Sequence, residues 1–416
     1  MTFASSKFIT LSGMSEGSTY GILPVSGDFK YIPNTDITLK YSKETITSNT
    51  VDQTRQTKDL LPVGFSVSGG FNLEFAPKVY DEYIEGAMWT DWGTPSVVPC
   101  SLAISVVGQV KTVTASVTAN VFAQVVAGQY IKIAGALLNA ANVGTFRVKS
   151  KTTSLIVVLD DASTVVTETV KTGVTITANM IRNPALPAAS VRKSYYFEKA
   201  NTDLSTPQFF SYSGNMVNSF SLSAQSKAIV TGSFDFMGKA SENYPTTTRS
   251  PGGTVGAAVN TGLFNTVSHI TGVRINGVYL STLGTFLQGF DFSIGQNLRG
   301  IPAVGESGFA SVNPGLISVT GKINPYFADS TMYARFLAST KFHLAIEMKN
   351  SDNDGYVISF PQCIIGDDEM SGEDVVENMS WTAVVDPTYQ TTMQIDRFYA
   401  SYTDCPDAPA TTYVGA

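Results

Sequence analysis

One twelve-residue pattern occurs twice in this chain, so the fold must build the same unit twice. Residues 65–76 read FSVSGGFNLEFA and residues 317–328 read ISVTGKINPYFA. Ser66, Val67, Gly69, Asn72, Phe75 and Ala76 return 252 positions later as Ser318, Val319, Gly321, Asn324, Phe327 and Ala328. Both copies alternate with period two, the signature of a strand with one face in a core and one face wet. In the first copy Phe65, Val67, Phe71, Leu73 and Phe75 form the apolar face, opposed by Ser66, Ser68, Asn72 and Glu74. In the second, Ile317, Val319, Ile323 and Phe327 are apolar, opposed by Ser318, Thr320, Lys322 and Asn324. Gly69 and Gly321 mark a matched bulge or close backbone approach.

A short helix is expected after each strand. Pro77 suits a first helical position, and Val79, Tyr80, Tyr83, Ile84, Ala87 and Met88 make a helical stripe. In the second copy Asp329 or Ser330 caps a stripe of Met332, Tyr333, Phe336 and Leu337. Upstream, Ile37, Leu39 and Tyr41 match Phe290, Phe292 and Ile294 at an offset of 253. Downstream, Phe197 and Glu198 match Ile346 and Glu347 at 149, and Phe234 and Phe236 match Trp381 and Ala383 at 147. The single drop in offset predicts one insertion in the first copy. Residues 94–183 supply it, as short strands separated by turn signals that form a small all-β domain.

The expected organisation is a discontinuous first domain (1–93 and 184–240), the inserted domain (94–183), a linker (241–265) and a second domain (266–416). The linker carries Pro251, Gly252 and Gly253, and after Asp386 a polar arm with Pro406 and Pro409 is expected to be partly ordered. Each copy also holds a polar loop, Thr45 to Leu60 and Asn297 to Asn313. Such loops are candidates for contacts with neighbouring subunits, through Thr47, Asp52, Arg55, Lys58, Arg299, Glu306 and Asn313.

The chain has 416 residues, 43% of them hydrophobic and only 15% charged, with 35 glycines. Long helical runs are missing, which points to a mainly β protein. Its formal net charge of −7 lacks the clustered Lys and Arg that grip phosphate. Cys100, Cys363 and Cys405 are too few and uneven for a disulfide framework, which suits a reducing cytosol. The first residues show no signal-peptide core, and no apolar run reaches the roughly 18 residues of a membrane span. His269 and His343 sit in separate strand-like segments without metal-ligand spacing. Residues 352–355, DNDG, fit a hairpin turn better than a calcium loop. Asp367, Asp368, Glu369, Glu373 and Asp374 read as a solvated acidic loop. Trp89, Trp92 and Tyr83 read as core or subunit contact rather than a sugar platform. Neither a nucleophile-elbow nor a phosphate-loop motif is present.

Several stretches resemble the major tail tube proteins of long-tailed, siphovirus-type bacteriophages. They are EGSTYGILP (16–24), VSGGFNLEF (67–75), MIRN (180–183), KSYYFEK (193–199), FFSYSGNMVNSFSLS (209–223) and IVTGSFDFMGK (229–239). QNLR (296–299), VTGKI (319–323) and ISFP (358–361) resemble the closing part of the same family, and the insert around 128–148 also fits. Residues 185–190, ALPAAS, depart from it by their length. The resemblance implies a β-sandwich or partly closed barrel with one flanking helix, and no enzymatic activity, catalytic residue, metal or cofactor. It implies subunits that join inner sheets into a ring of six tube domains, hence a trimer with pseudo-sixfold symmetry for a chain with two. It further implies stacked rings in a virion tail, assembled in the host bacterial cytoplasm, with tape measure, terminator and baseplate proteins as partners. DNA passes through such a tube without specific binding. Ser66, Ser68, Asn72, Glu74, Ser318, Thr320 and Asn324 are the candidate lumen residues, in a bore expected to be net negative. The alternatives are a baseplate hub, a terminator or a secreted β-rich adhesin.

Overall fold

The computed structural model describes residues 4–402, apart from 18, 51–55, 117–119, 186–188, 245, 260 and 329. Asp52, Arg55, Asp329, Cys405, Pro406 and Pro409 therefore lie outside the described residues.

The chain is mainly β. It opens with β1 (Ile9–Ser15), β2 (Phe29–Tyr31), β3 (Asp36–Ile37), β4 (Lys40–Thr47) and β5 (Leu60–Glu74), followed by α1 (Asp81–Met88). Six strands come next: β6 (Ser96–Val107), β7 (Val110–Ser116), β8 (Tyr130–Ala134), β9 (Gly144–Thr153), β10 (Ile156–Leu159) and β11 (Glu168–Ala178). The first half closes with β12 (Met180–Arg182), β13 (Tyr195–Asn201), β14 (Gln208–Gln225), β15 (Thr231–Gly238), β16 (Ala240–Tyr244) and β17 (Val255–Gly256). The second half holds β18 (Ile270–Ile275), β19 (Val278–Tyr279), β20 (Leu287–Gly295), β21 (Arg299–Pro302), β22 (Phe309–Asn313) and β23 (Ser318–Pro325). It ends with α2 (Thr331–Leu337), β24 (Phe342–Lys349), β25 (Gly355–Ser371), β26 (Val376–Ala383) and β27 (Gln394–Phe398).

The central feature is one antiparallel run of eight strands, β4-β5-β15-β14-β20-β23-β26-β25. Its first four strands and last four have the same internal layout. Tyr41 faces Val67 as Ile294 faces Val319, and Ile37 faces Phe71 as Phe290 faces Ile323. The upstream offsets of 252 and 253 thus hold in three dimensions.

The downstream offsets do not hold. Phe236 faces Gly69 and Trp381 faces Gly321, so the true counterpart of Phe236 is Trp381, at 145 rather than 147. β13 meets a bulge of β14 between Tyr195 and Phe197, and β24 meets one of β25 between Phe342 and Leu344, an offset of 147 rather than 149. The sequence match slipped by two residues in each strand. A two-residue slip keeps every side chain on its own face, so a period-two pattern cannot reveal it.

The apolar face of the sheet is covered by a second layer. The first half of β14 swings away to pair with β13 and β16, and β13 with β1. The first half of β25 does the same with β24 and β27. α1 packs on β14 and α2 on β25, and one continuous core runs through both halves, from Phe71, Phe197 and Phe234 to Phe292, Phe360 and Trp381.

α1 begins at Asp81, four residues after Pro77, because Lys78 has a left-handed φ of 70° that no helix continues. It ends on Trp89, also left-handed at φ 55°. In the second copy Ser330 occupies the N-cap without a side-chain capping bond. Phe327 lies beyond the end of β23 and is 43% exposed, so it does not continue the apolar face.

β6 to β11 close into a separate barrel, ordered β10-β7-β6-β11-β8-β9, around Leu102, Val113, Ile131, Val148 and Ile176. Though inserted in the first half of the sequence, it is fastened to the second. Tyr130 N donates to Asp396 Oδ1 at 3.2 Å, Thr145 Oγ1 to Glu347 Oε1 at 2.7 Å, and Arg274 Nη2 to Thr145 Oγ1 at 2.9 Å. The segment 241–265 contributes β17, which pairs with β2, and the core residue Phe264. The arm after Asp386, expected to be partly ordered, is folded in through residue 402. β27 pairs with β25 and β12, and residues 391–399 are buried. His269 lies in a turn just before β18 rather than in a strand.

Candidate functional surface

The opposite face of the eight-stranded sheet is polar and concave. A trough of about 820 Å³ runs across it, lined from six adjacent strands by residues including Asn72, Ser221, Ser233, Ser293, Thr320 and Ser380. Hydroxyls pair across the strands here: Ser221 Oγ lies 2.9 Å from Ser233 Oγ, and Ser219 Oγ donates to Asp235 Oδ2 at 3.2 Å. Asp291 and Lys322 are directly opposed on the same face. Partial burial raises the Asp291 carboxyl, and the Lys322 charge partly offsets this. The wall is therefore hydroxyl-rich, with the acids Asp235 and Asp291 on it and Lys322 opposite Asp291.

The structure places Ser66, Ser68, Asn72 and Glu74 on this polar side of β5, alternating with buried Val67, Phe71 and Leu73. Ser318, Thr320 and Asn324 occupy the same side of β23, and Asn324 Nδ2 reaches Asn378 Oδ1 on β26 at 2.5 Å. The candidate lumen residues thus share one continuous face.

The two candidate loops are unlike each other. Thr45, Ile46 and Thr47 are strand residues paired with Pro62, Leu61 and Leu60, so the first loop begins and ends as an extension of the β4–β5 pair. Thr47 and Lys58 are exposed there, as are the apolar side chains of Ile46, Leu60 and Leu61. The second loop folds into the β21–β22 hairpin and lies over the first half of the chain. Phe65 N donates to Ser307 O at 2.7 Å, and Leu298 and Val312 pack with Trp89 and Met216. Arg299 and Glu306 stay exposed, while Asn313 is half-buried at the hairpin base.

Buried polar contacts missed in the sequence lock the halves together. Asp81, at the start of α1, is completely buried. It accepts from Tyr356 Oη at 2.6 Å, Tyr399 Oη at 2.7 Å and Arg397 Nη1 at 2.6 Å. Burial pushes both tyrosine hydroxyls well above their usual range, and the Asp81 charge adds to this. The Arg397 guanidinium stacks 4.2 Å from the Trp92 ring centroid, and Lys78 Nζ pairs with Asp354 Oδ2 at 2.8 Å. An acid at a helix start is ordinary, and Arg397 lay in an expected arm, so nothing in the sequence linked them.

Cys100 and Cys363 are free and buried, and burial lifts the Cys100 thiol to about 11. Among the described residues no group of three or more His, Cys, Asp or Glu is placed to hold a metal ion, and no helix is long and apolar enough to cross a membrane. Residues 350–354 form the turn between β24 and β25, where Asn350 Oδ1 accepts from Asp352 N and Asp354 N at 3.0 Å each.

Two repeated β units share one sheet, which ends on the outer edges of β4 and of the second half of β25. The model of the phage tail tube protein family matches residues 12–383, and the chain belongs to that family. It is thereby a structural component of a virion tail. No curated protein matches the chain.

Proposed function

We propose that this chain is the repeating subunit of the tail tube and that three copies close into a ring. The observation that supports this reading is the eight-stranded sheet with one polar, concave face and with the outer edges of its two end strands, β4 and the second half of β25, unpaired. An unpaired edge is a liability for a monomer, and ring closure removes it. Three sheets of eight strands would give a barrel of twenty-four. At about 4.8 Å per strand its wall would be roughly 37 Å across with untilted strands and wider with tilted ones. That bore suits a nucleic-acid duplex.

The division of labour follows. Residues 1–93 with 184–240 form one tube unit and 266–416 the other, joined by 241–265, with 94–183 as an outer decoration. Ser66, Ser68, Asn72, Glu74, Ser318, Thr320 and Asn324 line the channel. A hydroxyl-rich, net-negative wall in a protein of net charge −7 gives phosphates no cationic grip, so DNA slides through without specific binding. The two loops bearing Thr47, Lys58, Arg299, Glu306 and Asn313, and the segment with Asp52 and Arg55, contact neighbouring rings. The tube would enclose a tape measure protein and end on terminator and baseplate proteins, after assembly in the host cytoplasm. The role is mechanical, with no reaction and no cofactor. Negative-stain microscopy of the purified protein tests it: long hollow rods are expected. Single rings would indicate a hub or terminator, and persistent monomers would refute the reading.

A further inference from the structure

The joint between the two units inside one chain specifies how two chains meet. Within the chain, β14 ends the first unit and β20 begins the second, with Ser219 opposite Gly295, Ser221 opposite Ser293 and Leu222 opposite Phe292. β25 is the counterpart of β14, 148 positions on. Both carry a one-residue bulge, after Val217 and after Ile365, and Phe220 faces Phe234 as Asp368 faces Met379. β4 is likewise the counterpart of β20, at 253. The two free edges of each chain are the same strand types that are already joined in its middle.

Resting on the tube reading above, we propose that the second half of β25 pairs antiparallel with β4 of the next copy, in the register transposed from the internal joint. Asp367 then lies opposite Ser42, Glu369 opposite Lys40 and Met370 opposite Leu39. Three observations support this register beyond the repeat. Ser221 and Ser293 line the polar trough, so their counterparts Glu369 and Lys40 meet on that face as opposite charges. Met370 is 46% exposed whereas its counterpart Leu222, covered by β20, is 1% exposed. Asp368 takes the place of Phe220, and neither carboxylate oxygen has a hydrogen-bond partner; the joint sets it opposite the 39%-exposed Tyr41, whose hydroxyl can donate.

The charges also sort one joint from the other. The internal joint opposes two serines, and only the joint between copies opposes Glu369 and Lys40. Like charges in a wrong pairing are penalised, which favours edge-to-edge closure in a single direction.

Charge reversal with rescue tests the register. Lys40→Glu and Glu369→Lys should each raise the concentration for half-assembly on the order of tenfold, and the double variant should return it to within about twofold of wild type. Independently, Lys40→Cys with Glu369→Cys, in a Cys405→Ser background, should form disulfides between copies under mild oxidation, in a ladder ending at the ring. Circular dichroism and melting confirm that each variant is folded. Wild-type tubes together with single reversals that assemble normally, a double variant no better than the singles, or no cross-link would overturn the register while leaving the tube intact. A wild-type protein that never assembles would overturn both.

Discussion

Asp81 is the residue on which the two halves of the chain converge, since its carboxylate holds Tyr356, Tyr399 and Arg397 from the far end of the sequence. Removing it leaves the buried Arg397 guanidinium without its counter-charge. Asp81→Ala is therefore expected to destabilise the chain by about 3–5 kcal/mol, read from urea unfolding midpoints. His343 makes a second prediction, through pH. It is buried on β24 with both ring nitrogens unpartnered. Burial first, then the Arg147 and Arg274 charges, hold it well below its usual range, so it is neutral in the fold. The unfolded chain protonates this ring near pH 6.5, so the stability associated with His343 is full above that value and is lost as pH falls below it. His343→Phe should remove that loss, narrowing the stability gap between pH 7.5 and pH 5 by about 1–2 kcal/mol relative to wild type. An unchanged gap would show that the ring does not titrate in this way.

At the scale of elements, the matched glycines are positions where the repeat leaves no room for a side chain. A Cβ on Gly69, at φ 93°, would lie 2.3 Å from Thr38 O, and one on Gly321 would lie 2.4 Å from Asp291 O. Gly69→Ala should cost roughly 2–4 kcal/mol through strain and overlap, lowering the melting temperature. Gly173→Ala, left-handed at φ 68° but in open space, should cost about 1 kcal/mol. These close approaches were legible in the sequence, as were the strand faces and the existence of the insert, because alternation and glycine placement are local. Strand register downstream was not legible, since Phe236 and Trp381 could be misaligned by two residues without moving any side chain to the wrong face. Nor was the docking of the barrel through Tyr130 and Asp396, a contact spanning 266 residues between segments with no shared pattern. The second polar loop was hidden for a related reason: its half-buried base depends on Trp89 and Met216, which come from the other half of the chain.

The whole molecule is two copies of one unit fused edge to edge, with a barrel strapped across the second. In the proposed ring, fusion would fix one joint in two covalently and so lower the number of separate copies needed for closure. The barrel is tied to the second unit by Thr145, Arg274, Glu347 and Asp396 and stands apart from the polar trough. Its removal should therefore spare the channel wall. The most direct measurement is the number of chains in each ring of an assembled tube, from cryo-EM symmetry or from the mass of a cross-linked ring. Three chains per ring, with near-sixfold inner walls built from the serine-rich sheet face, is the predicted result. Six chains per ring, or a bore lined by any other face, would contradict it.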